Sequence, residues 1–178
     1  MRSLKLTRFS LFFHLSLILF ISFLGFANAS DWAQKRMKMD GKVSTGIEEV
    51  LALTAEFHKF RVSKDNAKSM KIANEIASKL GLVANMTEKN SSVQSLHITK
   101  IIQSAQSAIE LYKEDPMSKD ANLELKDFFK EIVQITQVFD VKKYKIFFCP
   151  QDKSLWLQTL PKAQNPVSPD LKNCGKPV

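Results

Sequence analysis

Residues 120–139 read Asp-Ala-Asn-Leu-Glu-Leu-Lys-Asp-Phe-Phe-Lys-Glu-Ile-Val-Gln-Ile-Thr-Gln-Val-Phe. Within them Leu125, Phe129, Ile132, Thr136 and Phe139 recur at three-and-four spacing, and Phe128, Ile135 and Val138 widen the same face. That period belongs to a helix with one buried side. Ser118 or Asp120 supplies an oxygen for its first turn, and Pro116 separates it from whatever precedes.

The same period extends upstream. Ile98, Ile101, Ala105, Ala108, Ile109 and Tyr112 form a stripe that Pro116 closes, with Ser91 and Gln94 spaced as a capping box at its start. Before it, Ala67, Met70, Ala73, Ile76, Ala77 and Leu80 predict a helix capped by Asp65 or Ser63 and ended by Gly81. Residues 82–90 then read as a connecting loop. Ile47, Val50, Leu51, Thr54 and Phe57 predict the first helix over Val43 to Val62. Four amphipathic segments with short to moderate connections point to an all-α fold, an antiparallel four-helix bundle with an apolar interior.

The character shifts after residue 140. Lys143 to Pro150 is aromatic-rich with extended propensity, and prolines at 150, 161, 166, 169 and 177 exclude a long helix beyond it. A short helical turn is expected around Asp152 to Leu160, in an otherwise irregular extension over 141–178. The chain's two cysteines, Cys149 and Cys174, both lie there. A disulfide between them would close a loop of about 26 residues, worth roughly 3.5 kcal/mol in the chain-entropy model. A dithiolate metal site and a redox pair are the competing readings; the wide spacing, without a nearby His or a Cys-x-x-Cys, favours neither.

The opposite end carries an export pattern. Arg2, Lys5 and Arg8 precede an apolar run from Leu11 to Phe26, and Ala27-Asn28-Ala29 offers the small residues that a signal peptidase reads. Polar Asp31 and Gln34 follow at once, which favours cleavage over an uncleaved anchor. The expected organisation is a signal peptide over 1–29, a flexible arm over 30–42 and one helical domain over 43–178. Of 26 basic and 18 acidic residues, three basic and no acidic ones lie in the signal, which leaves +5 after cleavage. Those charges are scattered, and without a basic stripe interleaved with aromatics nucleic acid is not an expected partner. No second apolar span follows the first, so no membrane span is expected after cleavage.

Known bundle chemistries find little support. Di-metal bundles need inward glutamates with a Glu-x-x-His spacing, which is absent, as is the Cys-x-x-Cys-His of attached haem. Two histidines, His58 and His97, remain outside the signal, and no nucleophile or carboxylate partner is singled out for either. Weak metal candidates are Cys149, Cys174, His97 and the close pair Met37 and Met39, whose thioethers suit copper(I).

Cys149-Pro150, Trp156-Leu157, Asn165-Pro166 and Cys174-Gly175, following helical segments and an aromatic strand, resemble a bacterial periplasmic domain family of unknown function. Members occur as stand-alone exported proteins and as appendages of copper/silver efflux adaptor proteins. The resemblance covers roughly Gly46 to Gly175. The family pattern has Met after Cys-Pro, an aromatic and a Gly after Asn-Pro, and a Met before the closing Cys-Gly. Here Gln151 and Val167 stand instead, and Leu171, Lys172 and Asn173 precede Cys174. The resemblance therefore implies the scaffold more than the metal. The expected function is an exported, periplasmic or secreted, non-catalytic binding or interaction module of unknown ligand, needing no cofactor, with Phe148, Trp156, Leu157 and Asn165 at its contact surface. The alternative is a copper/silver-handling protein related to metal efflux.

Overall fold

Val43, Ile47, Val50, Leu51, Thr54 and Phe57 are buried at helical spacing, and they form the inner face of helix α1, Gly41–Val62. The computed structural model describes residues 41–89, 93–139, 141, 143–171 and 173–178, with the backbone alone at 93 and 94. The expected signal peptide, nearly all of the arm, the Met37/Met39 pair and the Ser91/Gln94 capping box lie outside the described residues. Gly41 and Lys42, assigned to the arm on sequence, belong to α1.

Helix α2 spans Asn66–Glu88, α3 Val93–Glu114 and α4 Ala121–Val138. Asp65 caps α2 as its position predicted, accepting the Lys68 amide at 3.1 Å. Asp120 precedes α4 without a side-chain cap, and Phe139 stands just past its end. Successive helices pack on one another, α1 on α2, α2 on α3 and α3 on α4.

Two expectations fail at Gly81. Helix α2 does not end there, and residues 82–88 are helix rather than loop. The missed signal is the continuation Leu80, Val83, Ala84 and Thr87, all buried, at the same three-and-four spacing. Gly81 serves packing instead: a Cβ there would stand 3.0 Å from the Gln106 amide of α3. Gly46 does the same for α1, where a Cβ would meet Val83 Cγ2 at 2.7 Å. Nor is the interior wholly apolar. Thr99 donates to Thr87 Oγ1 at 2.7 Å between α3 and α2, inside a small buried hydroxyl cluster with Ser95.

Side chains from three helices meet in one aromatic cluster. The Phe57 ring lies 5.8 Å from Tyr112, 6.2 Å from Phe128 and 6.1 Å from Phe129, the first two edge-on. Phe128 and Phe129 are themselves 5.2 Å apart. Edge-to-face contacts of this kind add to the area the rings bury, and all four residues are essentially inaccessible to solvent.

The C-terminal part is not irregular. Strands β1 (Lys145–Phe148), β2 (Leu155–Gln158) and β3 (Lys176–Pro177) form an antiparallel sheet in the order β2-β1-β3. The expected helical turn at 152–160 is therefore replaced by β2, which returns antiparallel to β1 and pairs Phe147 with Trp156. Lys153, at φ 62°, takes the left-handed conformation that the tight connection needs, and its amide bonds Cys149 O at 2.9 Å. Helix α4 packs along β2. Cys149 and Cys174 are joined by a disulfide, their Cα atoms 5.2 Å apart, in agreement with the structural reading.

Phe57→Ala removes the ring that α1 contributes to the aromatic cluster. Its expected cost is about 3–5 kcal/mol, measurable as a lowered urea midpoint with the far-ultraviolet helical signal retained in the absence of denaturant.

Candidate functional site

Burying an indole in so small a sheet requires a partner for its N–H. Trp156 stacks on Phe147 at 5.9 Å between ring centres and donates from Nε1 to Gln158 Oε1 at 2.8 Å. Gln158, two residues along the same strand, presents its side chain on the same face as Trp156. Its Oε1 also accepts the Gln164 amide at 3.1 Å, while its Nε2 donates to Leu160 O and Lys162 O, both at 2.7 Å. One buried amide thereby shapes the whole turn from 159 to 164. Thr159, Leu160, Pro161 and Lys162 are exposed on the outside of that turn, and Leu160 retains 55 % of its accessible surface.

Gly175 closes the other side of the indole. A Cβ at that position would lie 2.7 Å from Trp156 Cη2 and 2.7 Å from Ala163 Cβ, so the chain beside Cys174 passes directly against the ring. The disulfide holds it there.

A second network fixes the next stretch. Asn165 donates from Nδ2 to Asp152 Oδ2 at 2.9 Å and to Ser154 Oγ at 3.0 Å, and its Oδ1 accepts the amides of Val167 and Ser168. Ser154 donates its hydroxyl to Asp152 Oδ1 at 2.6 Å. Burial pushes the Asp152 carboxyl up, but hydrogen bonds from Ser154, Ser168 and Asn165 outweigh it and bring the group below its ordinary range. A carboxylate bonded to a serine looks like part of a nucleophilic site, yet Ser154 is fully buried and no histidine among the described residues joins the pair. These bonds organise a turn.

The last turns of α1 grip this segment by its backbone. His58 Nε2 donates to Gln164 O at 2.6 Å, and one turn on Arg61 Nε donates to Pro166 O at 3.2 Å. Arg61 also donates to the Tyr112 hydroxyl at 3.2 Å, its guanidinium 5.5 Å from the ring centre. Past the end of α1, Lys64 pairs with Asp170 at 2.5 Å. Burial lowers the pKa of His58 and the Gln164 carbonyl only partly offsets this, so the ring is held neutral at ordinary pH.

Against this geometry the sequence-derived site residues separate. Trp156, Leu157 and Asn165 are buried and support a surface from beneath, and Phe148 is half-buried on β1. The exposed turn 159–162 that they support was not singled out on sequence. Its signal lay in Gln158, a polar residue alternating with Trp156 on a buried strand face. His97 is exposed on α3, fifteen residues from Tyr112, which is about 22 Å along the helix. The sulfurs of Cys149 and Cys174 are consumed in the disulfide and offer no thiolate. Among the described residues, no group of three His, Cys, Asp or Glu side chains is placed to hold a metal ion. An open groove of about 370 Å³ lies between the start of α1 and the second half of α2, bounded by Gly46, Thr45 and Met86 and crossed by the Lys79–Glu49 ion pair at 2.6 Å.

Gly175→Ala forces the indole or Ala163 to move. Overpacking of this kind costs about 1–3 kcal/mol, and the variant is expected to show a lowered urea midpoint and a shifted Trp fluorescence maximum. The carboxyl of Asp152 makes a pH prediction. A group whose pKa is lower in the folded than in the unfolded state stabilises above its unfolded value and loses that contribution as pH falls through the folded one. The difference in urea midpoint between the wild type and Asp152→Asn should therefore be largest above pH 4 and shrink below it. Comparison of the chain with protein-family models, with curated proteins and with solved structures returns no match.

Proposed function

We propose that this chain is an exported, non-catalytic interaction module, and that the exposed turn Thr159–Lys162 is the part of its C-terminal surface that meets a partner. The observation that carries this reading is the pre-organisation of that turn. Two of its carbonyls are bonded from within by a buried glutamine, its flanks are fixed by Trp156 and by the α1 grip, and its apolar Leu160 is left outside. A loop already held in one conformation loses little entropy on association. The four helices would serve as a rigid antiparallel bundle behind it, closed by the Phe57 cluster.

Export is supported by the basic and apolar start of the sequence and by a disulfide, which persists in oxidising compartments. No helix among the described residues is long and apolar enough to cross a membrane. The tail's resemblance to the periplasmic domain family points the same way, since the residues retained are those that build the scaffold. Copper or silver handling finds no comparable support: the cysteines are bonded to each other and the soft ligands of the family pattern are replaced.

Lys162→Asp alters the turn without touching its internal bonds. In cells producing the exported protein, photo-crosslinking from residue 160 is expected to give a discrete adduct with a single partner, and Lys162→Asp is expected to reduce its yield at least tenfold. Crosslinking that is diffuse, or that is equally strong in Lys162→Asp, rules the turn out as the contact.

A further inference from the structure

The grip of α1 on segment 159–171 contains one imidazole, a group whose ordinary value lies near neutrality. His58 is buried and its ring bonds a main-chain carbonyl of the gripped segment, Gln164 O, at 2.6 Å. Opening of that segment exposes the ring, whereas closing it removes the ring from water. We propose that His58 makes the attachment of residues 159–171 to α1 a pH-dependent latch, opened by protonation, while the Cys149–Cys174 disulfide and β3 keep the remainder of the C-terminal part in place.

The groups around the latch favour this sign. Arg61, one turn further along α1, presents a positive charge to the same segment and is tied to Tyr112 of α3. Lys64 and Asp170 pair with each other at the segment's far end. Asp152, from the β1–β2 connection, is bonded to Ser154 and Asn165 rather than to the imidazole. Among the described residues the bond recorded for the His58 ring is to the Gln164 carbonyl and not to a carboxylate, and burial lowers its pKa more than that carbonyl raises it. A charged imidazole keeps its Nε2–H bond, but it must be desolvated. Opening relieves that cost.

Linkage gives the magnitude. An open-state imidazole titrates near 6.5 and the closed one lower, so the ratio of open to closed rises by up to about tenfold per pH unit below 6.5 until the closed value is reached. This device is independent of which partner the exposed turn meets. It adds that acidification would release the turn's backbone support.

The test is native-state hydrogen exchange on the full, disulfide-intact chain between pH 7.5 and 5, corrected for intrinsic rates, with peptides from 159–171 compared with the aromatic core of α1 and α3. The expected result is a selective rise in opening of 159–171 below pH 6.5, at least fivefold by pH 5, that is absent in His58→Gln, where an amide donates without titrating. Unchanged exchange across that range, an equal rise in His58→Gln, or opening of the segment only together with the core would each overturn the proposal. Should His58→Gln fail to fold, ring nuclear magnetic resonance of the wild type decides. A His58 midpoint coinciding with the rise in exchange supports the latch, and His58 titration without any rise overturns it.

Discussion

Burial of the Trp156 indole is the constraint on which the C-terminal half depends. An indole with essentially no solvent exposure must give its N–H to a protein acceptor, and the acceptor it has is a glutamine on its own strand. Gln158 in turn needs partners for its remaining polar capacity, and it finds them in Leu160 O, Lys162 O and the Gln164 amide. That last bond fixes the residue whose carbonyl accepts from His58 Nε2. A path of hydrogen bonds thus runs from the middle of β2 to the end of α1, and every link follows from one buried polar atom.

The ring also explains the covalent geometry around it. Gly175 is required because the chain must pass within van der Waals contact of the indole face, and the neighbouring Cys174 secures that passage through Cys149. Arg61 meets the same segment from the helical side while stacking on Tyr112, which belongs to the Phe57 cluster. Helical core and sheet are consequently joined through particular side chains, and loss of either ring is felt at the junction.

The helices were legible because their signal is local. Three-and-four spacing places α1, α3 and α4 within a few residues, and Asp65 caps α2 where it should. Gly81 carries the turn-forming signal of a glycine, yet its place is set by Gln106 of another helix, a non-local fact. The disulfide followed from having two cysteines and an export pattern. Strand β2 was missed because four residues among prolines carry little period; its existence depends on pairing with β1. The site suffered most. The type of Trp156, Leu157 and Asn165 does not show that they face inward and that the turn beyond them faces out.

The internal bonding of that turn bears on how the protein survives among proteases. Lys162 is an exposed lysine in a connecting segment, a place where trypsin-like enzymes ordinarily cut. A protease must draw several residues into an extended strand before it can cleave. Here that motion breaks both carbonyl bonds to Gln158 and, through Gln164, uncovers the edge of Trp156. Cleavage at Lys162 is therefore limited by opening of a buried network rather than by access to the bond, and a nicked chain would still be held as one piece by Cys149 and Cys174.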